Sequence, residues 1–227
     1  IDTHSHLFLE EFSEDFPQVI ERARAAGVTH IFMPNIDSTT IEAMLSACSV
    51  YKGYCFPMIG LHPTSVNANY EKELEIVARE LKFSKEYVAI GEIGMDLYWD
   101  KTYLKEQQIV LDKQVNWALE YDLPIVIHCR DAFDYIYKVL EPYKKTPLRG
   151  IFHSFTGTAE EATRVLEFSD FFIGINGVVT FKKSHLPEIL AGIPLEKIVL
   201  ETDSPYLTPV PNRGKRNESA YVKDTLM

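Results

Sequence analysis

The first strand-like run, IDTHSHLF, sets His4 and His6 two residues apart, so on an extended backbone both imidazoles leave the same face, with Asp2 on that face too. Histidine returns in three later runs: His62 in GLHP, His128 in IHCRDA and His153 in HSFTG. Carboxylates stand in comparable places, Glu92 and Asp96 in GEIGMD and Asp203 in ETDSP. Imidazoles and carboxylates gathered from separate strands can surround divalent cations, with ligand atoms about 2.0 to 2.2 Å from zinc. One shared carboxylate can bridge two ions about 3.5 to 4 Å apart. A lone histidine among apolar residues is ordinarily a core side chain bonded to a neighbour. Five at the same end of their strands point instead to a metal shell completed by distant parts of the chain. The other two, His30 early in a strand and His185 at a helix start, read as structural or solvated.

Such a shell needs a fold that collects strand ends. Eight β-rich runs begin near Ile1, Val28, Tyr54, Tyr87, Leu123, Leu148, Asp170 and Lys197. Helical patterns lie between them: Phe16, Val19, Ile20 and Ala23 share one face, as do Leu104, Leu111, Val115 and Ala118. Gly27 follows the first of these where a helix stop belongs. Thr39 with Glu42, and Thr158 with Glu161, have capping-box spacing. This alternation predicts an α/β fold, a (β/α)8 TIM barrel forming a single domain over residues 1–227, with its active site at the carboxyl ends of the strands. No G-x-G-x-x-G follows a strand, which argues against a dinucleotide-binding sheet. A barrel of this type takes about 250 residues. The sequence ends at AYVKDTLM, where an eighth helix has hardly begun, so the final helix is expected to be missing or truncated.

Side-chain alternation refines the picture. Val126, His128 and Arg130 share a face, as do Ile151, His153 and Phe155, so each histidine can point into the mouth while the residue two earlier fills the barrel. Arg130 then also faces the mouth, to meet a phosphate or a barrel carboxylate. Asp2 shares a face with His4, and Glu201 with Asp203. Buried carboxylates are costly unless bonded, so these two either orient ligand groups or pair with a lysine or arginine in the core. Arg213, Lys215 and Arg216 in PNRGKR form the one concentrated basic feature, a solvated loop by default and a phosphate-backbone contact by its place after Asp203. Tyr98, Trp99 and Tyr206 flank the strand ends and either pack the rim or stack bases, an interaction worth about 1 to 3 kcal/mol per base. Asp131 is expected to cap the fifth helix.

Composition sets limits. With 46% hydrophobic residues the chain resembles an ordinary globular protein, and a net charge of −10 argues against a broad basic surface for nucleic acid, leaving any anionic substrate to a metal or a local cationic cluster. Cys48, Cys55 and Cys129 are odd in number and lack C-x-x-C spacing, as expected of reduced, buried thiols in a cytoplasmic protein. No apolar stretch of eighteen residues and no signal-peptide pattern is present, so no membrane association is expected, and no obligate protein partner is visible.

In this order and spacing, DTHSH, GLHP, GEIGMDLYW, IHCRDA, HSFTG and ETDSPYLTPVPNRGKRNE resemble the TatD family of metal-dependent deoxyribonucleases, within the wider amidohydrolase-type barrels, over almost the whole chain. The resemblance implies two divalent cations, one held by His4, His6 and Asp203, the other by His128 and His153, with Glu92 bridging. It implies magnesium, although an imidazole-rich shell suits zinc, nickel or manganese better. It also implies phosphodiester hydrolysis, 3′ to 5′, on single-stranded DNA or RNA. In that chemistry Asp203 ligates and takes the proton of the attacking water, Glu92 holds the ions at their separation, and His62 bonds a phosphate oxygen or protonates the leaving group. The same shell would serve an amidohydrolase cleaving a C–N or lactone bond, and a metal-binding barrel without hydrolytic competence is a third reading. The cationic loop favours the nuclease, and the intact ligand set speaks against the third.

Overall fold

The computed structural model describes residues 1–226. Helix α1 (Phe16–Ala25) precedes strand β1 (Ile31–Pro34), followed by α2 (Ile41–Val50), β2 (Cys55–Met58), α3 (Tyr70–Phe83), β3 (Ile90–Asp96), α4 (Leu104–Tyr121), β4 (Ile125–Arg130), α5 (Phe133–Leu140), β5 (Gly150–Phe152), α6 (Ala159–Val165), β6 (Phe171–Ile175), α7 (Leu186–Leu190), β7 (Ile198–Leu200) and α8 (Val222–Leu226). Strands β3 to β7 pair in chain order, all parallel, and β1 pairs with β2 in parallel. Shorter contacts complete the series. Ile59 bridges Ile90, with its N–H donating to the Ala89 carbonyl. Residues 2–6 lie between β1 and the segment after β7. On one side Asp2 N–H donates to the His30 carbonyl and Ser5 N–H to that of Phe32; on the other, Thr3 N–H bonds Leu200 O and Asp203 N–H bonds His4 O. Parallel pairing thus runs from every predicted strand to the next and back to the first, the TIM-barrel arrangement expected from the sequence.

The helices bury the faces their periodicity marks. Val19, Ile20 and Ala23 of α1 are buried, and Gly27, at φ 86°, turns the chain after it. In α4 Leu111, Val115 and Ala118 are buried and Leu104 partly so. Val126, two residues before His128, packs with Met58 and Ala89 in a small cluster apart from the main core. The capping box at α6 forms between Thr158 and Glu161. Two local expectations are corrected. Thr39 and Glu42 make no capping box, because Thr40 stands at the start of α2 and its Oγ1 accepts instead from the N–H groups of Ile36 and Asp37. Asp131 does not cap α5: the chain turns there at φ 52° and Ala132 becomes the residue before the helix.

The three cysteines are free thiols, and burial pushes each up to about 12. Among the described residues no helix is long and apolar enough to cross a membrane.

Candidate metal centre

The strand ends bring His4, His6, His62, His128 and His153 round one carboxylate. Glu92, buried within β3, divides its two oxygens between them. Oε2 lies 3.1 Å from His4 Nε2 and 3.5 Å from His6 Nε2. Oε1 lies 2.8 Å from His128 Nδ1, 3.0 Å from His153 Nε2 and 3.2 Å from His62 Nε2. Asp203 closes the first half, its Oδ1 3.8 Å from His4 Nε2 and 3.6 Å from His6 Nε2. A cavity of about 370 Å³ opens onto all of these groups but the fully buried His4, lined also by Trp99, Arg130 and Tyr206.

Two ligand atoms each about 2.1 Å from one ion lie about 3.0 to 3.4 Å apart at octahedral or tetrahedral angles. The spacings around Glu92 are of that size, and the Nε2 atoms of His4 and His6 face each other at 3.2 Å, a juxtaposition of nitrogens that a cation between them would satisfy. Among the described residues three donor sets lie within ligating reach: His4, His6 and Asp203; His4, Glu92 and His153; and His62, Glu92 and His128. The donor chemistry therefore fits divalent cations. Charge distribution agrees. Burial would raise the Glu92 carboxyl, but the imidazoles of His62, His153 and His4 outweigh it and hold it well below its usual range. Burial disfavours charge on His153, yet Glu92 and Glu201 outweigh it and raise that ring well above its ordinary value. His128 is raised in the same way, desolvation being overcome by Asp96 and Glu92. The pocket thus favours positive charge beside Glu92.

His62 differs from the other rings. Thr64 N–H donates to its Nδ1 at 3.2 Å, so that nitrogen carries the lone pair and the neutral ring bears its proton on Nε2, facing Glu92. Burial lowers its pKa, outweighing the pull of Glu92. His62 is therefore arranged as a hydrogen-bond donor into the cavity.

Backbone clamps hold these groups in place, and most use residues that sequence reading left unassigned. Gln107 and Gln114 sit seven apart on the buried face of α4: Gln107 bonds the backbone N–H and carbonyl of Asp96, and Gln114 those of Leu61, next to His62. Two glutamines on an otherwise apolar helix face were the available signal. Asp203 adopts φ 57°, sparsely populated for a non-glycine residue, and this conformation carries its carboxylate into the mouth. Asn217 secures that turn by donating to the carbonyls of Thr202 at 2.8 Å and Tyr206 at 2.6 Å. Asn217→Ala leaves both buried acceptors without this donor and is expected to cost about 1 to 3 kcal/mol of stability, read by urea unfolding. Among the described residues Asp2 forms no ion pair with a lysine or arginine; the His4 backbone N–H donates to its Oδ1 at 3.4 Å. It accepts from Thr202 N–H and Oγ1–H at 2.9 and 2.7 Å, tying the first strand to the last, and burial pushes it up to about 7. Glu201 instead faces a ligand candidate, His153.

Among the expected substrate contacts, the structure brings Arg130 to the mouth, its guanidinium 3.8 Å over Tyr98 and 5.5 Å over Trp99. Tyr98, Trp99 and Tyr206 are all exposed. Arg213, Lys215 and Arg216 do not line the cavity with the ligand candidates. Asp15 takes the Arg216 guanidinium through two 2.8 Å bonds, and that cation lies 4.4 Å over Phe12. That pairing holds the Asp15 carboxyl at about 2. Arg213 stacks 3.9 Å over Phe181 and bonds the Thr208 carbonyl, and Lys215 reaches Asn212 Oδ1 at 3.4 Å. Closeness to Asp203 along the chain did not fix which way these side chains turn.

An α/β barrel whose strand ends converge on a shared carboxylate and five imidazoles has the architecture of a metal-dependent hydrolase. A model of the family described as TatD related DNase matches residues 1–227. The chain is 39% identical over 223 residues to the uncharacterized metal-dependent hydrolase YabD of Bacillus subtilis, covering 98% of this chain and 86% of that protein. It is 32% identical over 231 residues to the 3′-5′ ssDNA/RNA exonuclease TatD of Pantoea ananatis, covering 99% and 88%. The crystal structure of YjjV, a TatD homologue from Escherichia coli, superposes with a TM-score of 0.90 at 30% identity over 99% of this chain and 88% of that one. The chain belongs to the TatD-related DNase family and is a metal-dependent hydrolase.

Proposed function

We propose that this chain, acting as a single hydrolase domain, removes nucleotides from the 3′ ends of single-stranded DNA or RNA with two divalent cations. The observation that carries the reading is the division of Glu92 between two histidine groups, one oxygen to each, as a bridging carboxylate requires. His4, His6 and Asp203 would hold one ion and His128 with His153 the other. When bound, the cations supply an acidified water, its pKa lowered from 15.7 towards about 7, and neutralise charge developing on the phosphate.

The chain's own groups do the rest. Asp203, its Oδ1 3.8 and 3.6 Å from the Nε2 atoms of His4 and His6, would ligate one ion and take the proton of the attacking water. His62 presents Nε2–H to a phosphate or leaving-group oxygen. Arg130 supplies a fixed cation for a neighbouring phosphate, steadied by Tyr98. Trp99 and Tyr206, lining the same cavity, offer faces on which unpaired bases stack. The name of the Pantoea relative, an exonuclease on ssDNA and RNA, supports this choice of substrate.

Digestion of 5′- and 3′-labelled oligonucleotides by metal-stripped protein reloaded with magnesium, manganese or zinc tests the proposal. A descending ladder from the 5′ label and early mononucleotide release from the 3′ label are expected. Absence of metal-dependent cleavage from every oligonucleotide would overturn it.

A further inference from the structure

His128 and His153 present opposite ring nitrogens to Glu92 Oε1, Nδ1 from the first and Nε2 from the second. The nitrogen that each turns away meets a buried carboxylate. His128 Nε2 lies 2.9 Å from Asp96 Oδ2. His153 Nδ1 lies 3.3 Å from Glu201 Oε1, within ion-pair reach though off the line of a hydrogen bond. The other pair is built differently: among the described residues the carboxylates near His4 and His6 approach only Nε2, and their buried Nδ1 atoms have no hydrogen-bond partner. Carboxylate support is therefore confined to one half of the centre.

Both supporting groups are themselves fixed. Asp96 is held through its backbone by Gln107, and its Oδ1 accepts from Tyr98 N–H at 3.1 Å. Glu201 is fully buried, and its Oε1 also accepts the N–H of Ser154. It occupies a slot that exists because residue 174 is glycine: a Cβ there would come within 2.6 Å of Glu201 Oε2.

We propose that Asp96 and Glu201 are positioning residues that lock His128 and His153 in opposite tautomers, protonated on Nε2 and Nδ1 respectively, and so set the affinity of one of the two ion positions. A carboxylate on the remote nitrogen of a ligating imidazole fixes the ring's tautomer and orientation and raises its basicity, and its loss costs about 10- to 100-fold in metal affinity. The ion shared by His4, His6 and Asp203 has no such support to lose. This inference rests on the two-ion reading above.

The test is titration of metal-stripped protein with Mn²⁺, followed by electron paramagnetic resonance and calorimetry. The wild-type protein is expected to take two ions. Asp96→Asn and Glu201→Gln should each weaken one of the two steps, the same step, by about 10- to 100-fold while leaving the other in place. Asp96→Ala should weaken it more than Asp96→Asn, because asparagine keeps an acceptor for Nε2–H. His6→Asn should weaken the opposite step. If burial of Glu201 prevents folding of its variant, judged by circular dichroism, the Asp96 pair decides. Two ions bound with neither step moved, or with both weakened equally, would overturn the inference alone. Fewer than two ions on the wild-type protein would overturn the two-ion reading and this inference with it.

Discussion

Replacing Glu92 by glutamine is expected to lower hydrolysis of single-stranded oligonucleotides by at least about 10³-fold and to leave the protein with fewer than two bound ions. Glutamine keeps the shape of the side chain but offers one oxygen and one NH2 group. Whichever half of the centre meets the NH2 faces a donor where an ion held by His4 and His6, or by His128 and His153, would need a carboxylate oxygen. The negative charge that three neighbouring imidazoles stabilise is lost as well. Initial rates measured beside metal content by mass spectrometry separate this from misfolding: an unaltered metal count with reduced rate would show that Glu92 acts in some way other than by holding ions.

The second large effect is on stability. Gly94 lies in β3 at φ 140°, and a Cβ built on it would stand 2.0 Å from the His128 carbonyl oxygen in β4. Both atoms in that clash are tied to backbone, so no side chain can swing away. Gly94→Ala is expected to cost more than about 4 kcal/mol and to lower Tm on the order of 10 °C. Any folded remainder should bind metal poorly, since relief of the clash moves the strand that carries His128. A cost below about 1 kcal/mol in urea unfolding would contradict this packing.

The sequence carried the skeleton of this account because its strongest signals are periodic or chemical. β-rich runs such as LPIVIHC and DFFIGINGVV could be buried only as central strands, and His128 at the end of one declared the mouth. What stayed hidden depends on direction in three dimensions. Asp96 was visible as a strand-end carboxylate, but only the folded register turns it to the far nitrogen of His128. Gln107 and Asn217 bond backbone groups distant in the chain or bent into a loop, and nothing in their neighbours announces those partners. Arg216 was legible only as part of a basic run near Asp203; its ion pair with Asp15, at the start of α1, joins residues 201 positions apart and has no local signal. Local capping signals divided in the same way. Thr158 found its geometry, while Thr39 lost its place to Thr40, which the preceding turn had already engaged.

The central claim, that one carboxylate is shared between two cations at the barrel mouth, is tested most directly by anomalous diffraction from crystals grown with manganese or zinc. Two peaks about 3.5 to 4 Å apart are predicted, one within ligating distance of His4, His6 and Asp203, the other of His128 and His153, with an oxygen of Glu92 reaching each. Peaks lying elsewhere, or none within ligating distance of Glu92, would contradict it.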